Sequence, residues 1–97
     1  MLPIISFRPG AQDELREGYE FYEGREPGLG SDFMRCIDAS LQLIRRHPQI
    51  CPVVHRDIRQ AVIRRFPYSI FYVPAAETIV VLSVFHASRK PMRWMRG

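Results

Sequence analysis

Near the C-terminus, the stretch VFHASRKPMRWMRG (Val84 to Gly97) brings His86, Arg89, Lys90, Arg93, Trp94 and Arg96 together, and IRQAVIRRF upstream adds Arg59, Arg64 and Arg65. These side chains could cut a phosphodiester. Metal-independent RNA cleavage needs a base for the 2′-hydroxyl proton, an acid for the 5′-oxygen, and cations for the charge on phosphorus. His86 suits the proton transfers, being the side chain whose ordinary pKa lies near neutrality. Arg89 and one of Arg59, Arg64 or Arg65 could supply the charge; His86, Arg65 and Arg89 form the candidate nuclease set. The same residues could instead grip an acidic macromolecule, because the planar guanidinium fork suits carboxylates and phosphates.

Other chemistries find little support. The three histidines and two cysteines show no C-x-x-C or H-x-x-x-H spacing, so neither a metal nor a cofactor is expected. GLG (Gly28 to Gly30) lies between two helical patterns instead of after a strand, which makes it turn punctuation and not a phosphate loop. His47 reads as a helix C-cap, and His55 falls in a loop-like stretch.

These residues need elements to position them. Leu2 to Phe7 reads as a strand stopped by Arg8-Pro9-Gly10. A helix should start near Pro9, with Asp13, Glu14 and Glu17 favouring its positive end. Ala11, Leu15, Tyr19 and Tyr22 make its apolar stripe, and GREPGLG stops it. Ser31 or Asp32 can cap a second helix. Its stripe is Phe33, Ile37, Leu41 and Ile44, widened by Cys36 and Leu43, with Arg45, Arg46 and His47 in the last turn and Pro48 ending it. The period then changes. Val53 to Arg56, Ile58 to Phe66, Tyr68 to Val73 and Thr78 to Phe85 read as strands, the last unbroken enough to be central and covered on both faces. One face should meet the helices, and a partner could cover the other. In a regular strand Arg64 and Arg65 would point to opposite faces. Tyr19, Tyr22, Phe33, Tyr68, Phe71 and Tyr72 are assigned to the core. The order β-α-α-β-β-β(-β) predicts an α+β domain spanning 1–97: an antiparallel sheet with an N-terminal helical hairpin packed on one face.

Composition agrees with a folded domain, at 46% apolar and 25% charged residues. The longest apolar run, Ile79 to Phe85, is far shorter than the roughly 20 residues of a membrane span, and MLPIISFRPG lacks signal-peptide character. A cytoplasmic protein without membrane association is expected, with Cys36 and Cys51 as reduced thiols. Charge is unevenly divided. Residues 1–40 carry four arginines against eight carboxylates, whereas residues 41–97 carry ten cations against Asp57 and Glu77 alone. Lys90 is the only lysine. Cations so clustered suggest an acidic partner.

Three segments carry a family resemblance: ELREGYEFYEGREPGLGSDF (14–33), HPQICPVVHRDIRQAVIRRFPYSIFYV (47–73) and IVVLSVFHASRKPMRW (79–94). Together they resemble the RelE/ParE superfamily, small toxins of bacterial type II toxin–antitoxin modules including plasmid stabilisation proteins. The most specific parts are Tyr22 with Pro27 to Gly30, the strand pair from Arg64 to Tyr72, and His86, Arg89, Pro91 and Trp94 at the end. The resemblance implies the fold just described and a ParD-like or similar antitoxin that wraps the toxin in a heteromeric complex. It also implies one of two activities. RelE-like members cleave mRNA on the ribosome; ParE-like members inhibit DNA gyrase. RelE-like nucleases resemble one another in having several strand lysines and a C-terminal tyrosine or histidine. Here the strands carry no lysine, and Trp94, which cannot exchange a proton at neutral pH, takes the terminal aromatic place. The ParE-like reading is therefore preferred. Arg59, Arg64, Arg65, His86, Arg89, Lys90, Arg93 and Trp94 become partner-binding residues, and the chain itself is not expected to read DNA.

Overall fold

A computed structural model describes residues 1–87. Its elements run β1 (Ile4–Phe7), α1 (Pro9–Arg25), α2 (Leu29–Arg46), β2 (Val53–His55), β3 (Ile58–Val62), β4 (Tyr68–Pro74) and β5 (Thr78–His86). The five strands form one sheet in the order β1-β5-β4-β3-β2, and the α1–α2 hairpin lies against it. The fold is α+β, as the sequence predicts. Three of the four strand pairs are antiparallel; β1 runs parallel to β5. That parallel edge follows from connectivity. Two helices separate β1 from the rest, which is enough chain for a crossover that no tight turn could make.

Local chemistry sets the helix boundaries. Arg8 is extended, as the residue before a proline prefers, and Pro9 opens α1. Glu26, before Pro27, is extended again and ends it. Gly28 then takes φ +92°, a left-handed conformation that glycine adopts without strain, and α2 begins at Leu29. Its cap differs from the predicted one. Neither Ser31 nor Asp32 caps the helix. The Glu23 carboxylate reaches across from α1 and accepts from the N–H groups of Gly28 (3.0 Å) and Gly30 (3.0 Å). A negative charge at a helix N-terminus is favoured twice, by hydrogen bonding and by the helix dipole.

The core joins Ala11 and Tyr22 of α1, Phe33, Ile37, Leu41 and Ile44 of α2, and Ala61, Ile70, Tyr72, Ile79, Val81 and Val84 of the sheet. The stripe of α2 is thus as predicted, except that Leu43 is exposed. In α1 the phase shifts. Tyr19 faces solvent, and Gly18 is buried instead, because a side chain there would collide with the Phe33 ring at 2.8 Å. That close approach seats the two helices on each other.

In β5 the register shifts opposite Phe71 and Tyr72, whose partners are Ser83 and Val81. The bulge breaks simple alternation, so Val81 and Val84 both join the core though they are three residues apart. Glu14 anchors it: its carboxylate accepts from the Ser83 hydroxyl (2.9 Å) and the Val84 N–H (3.0 Å). The sequence placed Glu14 only as a dipole-favoured acid of α1. No helix among the described residues is long and apolar enough to cross a membrane.

Candidate functional site

Because β3, β4 and β5 are antiparallel, the end of β3, the start of β4 and the end of β5 meet at one end of the sheet. The 63–67 connection is tight there, with Ile63 N–H donating to the Tyr68 carbonyl and Ala87 N–H to the Pro67 carbonyl. Phe66 anchors it. Its buried ring meets Tyr22 at 4.7 Å and Phe33 at 5.5 Å between centroids, in edge-on contacts. With Phe66 turned inward, both arginines before it are exposed.

This corrects the expectation that Arg64 and Arg65 lie on opposite faces. Strand β3 ends at Val62, so period-two alternation no longer applies to them. Arg65 lies over the Phe66 ring at 5.3 Å and pairs with Asp32 of α2 at 3.1 Å. Asp32 uses its other oxygen for Arg35. Arg64 has no carboxylate partner among the described residues.

His86 closes the same end. It stands opposite Tyr68 in the ladder, and the two rings meet edge-on at 5.1 Å. Tyr68 touches Phe33 and Tyr22 in turn, so His86, Arg65 and the helical hairpin are joined through one aromatic cluster. Burial pushes the Tyr22 phenol above its ordinary pKa, with Arg25 partly opposing.

Arg59 has a different setting. On β3 it faces the helix side, where its Nη1 donates to the carbonyls of Cys51 (2.6 Å) and Gln49 (3.2 Å). Tyr72 donates to the Pro48 carbonyl at 2.9 Å from the same side. Burial and a hydrogen bond with the Cys51 thiol push the Tyr72 phenol far above its ordinary value. Arg59 and Tyr72 thus brace the 47–52 loop. A long-range bond to backbone carbonyls leaves no periodic trace in sequence, which is why Arg59 looked like one more cation of the basic half.

Between α2 and the β3 edge runs an open groove of about 490 Å³, lined by Cys36, Ser40, Leu43 and Cys51 on one side and Val62, Arg64 and Arg65 on the other. Sequence reasoning did not foresee it, although the exposed Leu43 and Val62 belong to its rim. No group of three or more metal-ligating side chains occurs among the described residues. Arg89, Lys90, Arg93 and Trp94 lie outside the described residues.

The helical hairpin on a five-stranded sheet is an α+β fold shared with solved structures of toxin–antitoxin systems. A structure of a chromosomal ParDE toxin–antitoxin system from P. aeruginosa is similar to this chain at TM-score 0.77 and 14% identity, covering 90% of this chain and 98% of that one. The intact E. coli RelBE toxin–antitoxin complex is similar at 0.70 and 22%, covering 90% and 99%. The RelBE2 complex from Mycobacterium tuberculosis follows at 0.61 and 18%, covering 89% and 99%. Among curated protein sequences none matches significantly. The family model described as ParE toxin of type II toxin-antitoxin system, parDE, matches residues 5–91. The chain belongs to the ParE toxin family.

Proposed function

We propose that this toxin arrests growth by binding DNA gyrase in the bacterial cytoplasm, and that a cognate antitoxin holds it inactive in a heteromeric complex. The family match across residues 5–91 carries the reading. That the similar structures are of toxin–antitoxin systems supports the antitoxin partner. Binding without bond cleavage is supported by the set of residues at the sheet end. His86 packs edge-on against Tyr68, Arg59 is turned to loop carbonyls, and no lysine stands on a strand among the described residues. Arg64 and Arg65 are assigned to the gripping surface, and Arg89, Lys90, Arg93 and Trp94, which follow His86 in sequence, are its further candidate residues. An arginine-rich surface flanked by an aromatic is a common composition for the centre of an interface.

The test is DNA supercoiling by gyrase with increasing amounts of the purified chain. Inhibition is expected, and undiminished supercoiling at micromolar toxin counts against the proposal. A ribosome-dependent mRNA endonuclease using His86, Arg65 and Arg89 is the competing activity. His86→Ala separates the two. Full retention of growth arrest in this variant would eliminate His86 as a catalytic base.

A further inference from the structure

The β2–β3 hairpin carries an arginine where a glycine would be easier. Arg56 and Asp57 make the two-residue turn between His55 and Ile58, which face each other across the pair. Arg56 takes φ +53°, and no other non-glycine residue among those described has a left-handed φ. Tight hairpins favour glycine, asparagine or aspartate at such a position, because a bulky side chain is strained there. Strain of this kind is characteristic of residues kept for what their side chains bind. The fold itself draws no ion pair from this one. Arg56 is exposed and has no carboxylate partner among the described residues.

The loop leading into the hairpin presents an apolar surface. Ile50 is 53% exposed and Val53 48%, with Val54 exposed beside them. Buried anchors hold that surface in shape. Arg59 and Tyr72 donate to the carbonyls of Pro48, Gln49 and Cys51, on both sides of Ile50, and Ile50 N–H donates to the His47 carbonyl at 3.0 Å. An apolar group held in place before binding loses little entropy when a partner covers it. The charge around it is of one sign. Arg46 and His47 are exposed at the start of the loop, and Asp57 is the only carboxylate between residues 41 and 76. No Phe, Tyr or Trp is exposed in this segment to stack on a base, so the partner it fits is an acidic protein surface, not a nucleic-acid strand. The corner is also separate from Arg64 and Arg65. It lies at the start of β3 and they follow its end, so the strand sets them roughly 15 Å apart or more.

We propose that the corner from Ile50 to Arg56 is a second docking point for the toxin's protein target. Arg56 meets a carboxylate of the target, while Ile50, Val53 and Val54 cover apolar side chains next to it. The inference rests on the reading of that target as gyrase, and places a contact at the opposite end of β3 from Arg64 and Arg65.

The experiment measures supercoiling by gyrase with the full chain and its variants, beside their melting temperatures. Arg56→Gly removes the cation and the strain together. Its melting temperature should rise by a few degrees, while the concentration needed for half-inhibition increases about tenfold. Arg56→Glu keeps the strain and inverts the charge, so it should inhibit still less at an unchanged melting temperature. Ile50→Ser should weaken inhibition about fivefold. Arg16→Ala removes an equal charge from α1 and should inhibit as wild type does. Equal inhibition by wild type, Arg56→Gly and Ile50→Ser would overturn the docking point and leave the gyrase reading standing. A loss in Arg16→Ala as large as that in Arg56→Gly would trace the effect to net charge and overturn it too. So would a lower melting temperature in Arg56→Gly, which would remove the argument from strain. A dimer of the free chain that Arg56→Gly dissociates would assign the corner to a second copy, against the proposal. If the wild-type chain leaves supercoiling untouched, the gyrase reading fails and takes this inference with it.

Discussion

Single side chains hold the parts of this molecule that periodicity cannot. Tyr72 is the clearest case: it is completely buried, yet its hydroxyl donates to the Pro48 carbonyl and so ties the sheet to the loop after α2. The phenol is pushed above its ordinary value by burial first and by the Cys51 hydrogen bond second. The unfolded chain therefore loses its tyrosine proton at lower pH than the folded one. The associated stabilisation is complete below about pH 10 and is lost as pH rises beyond it. In Tyr72→Phe, chemical denaturation at neutral pH should show a loss of about 1 kcal/mol from the missing hydrogen bond. The decline of stability above about pH 10 should become shallower. It should not vanish, because the Tyr22 phenol is raised as well. An alkaline slope identical to wild type would show that Tyr72 stays equally protonated in both states. Glu14 belongs with Tyr72, since its carboxylate fixes the β5 bulge from which His86 follows two residues later.

At the scale of elements, the helical hairpin depends on a cap that one helix lends to the other. Glu23 meets two N–H groups at the start of α2, so Glu23→Ala should cost about 1 kcal/mol, within the usual range for losing an N-cap. For a domain of this length that lowers the melting temperature by roughly 4–8 °C. Glu23→Gln should fall between the two, and a melting point unchanged in Glu23→Ala would mean that water replaces the cap at no cost. The helices themselves were legible because Phe33, Ile37, Leu41 and Ile44 repeat at helical spacing and proline and glycine mark their ends. The cap was not, because a carboxylate seven residues from its farther partner leaves no local pattern. Strand β1 was legible as a strand but not as a parallel one; four residues carry no record of their partner. The same limit applied at the candidate site. That Arg65 and His86 share an end of the sheet followed from the strand order. The inward turn of Arg59 did not, and neither did the loop that exposes Arg64 and Arg65 together, because both depend on contacts made only after folding.

At the scale of the whole molecule, α1, α2 and the sheet all contribute to one continuous core. Folding should therefore be all-or-none, with the arginine-bearing end of the sheet existing only while the helices are docked. Leu41 tests this. It is 5% exposed, midway along the α2 seam, and remote in sequence from every residue of the proposed gripping surface. Leu41→Asp places an unpaired carboxylate in that seam at a cost of several kcal/mol. A domain of this size has only about 5–15 kcal/mol of stability in total. The variant should lose its cooperative melting transition, its protection of β4 amides against hydrogen exchange, and its effect on growth, all together. If β4 amides stayed protected while α2 amides exchanged freely, the sheet would be stable without the hairpin. The surface bearing Arg64, Arg65 and His86 would then be independent of the helices that pack against it.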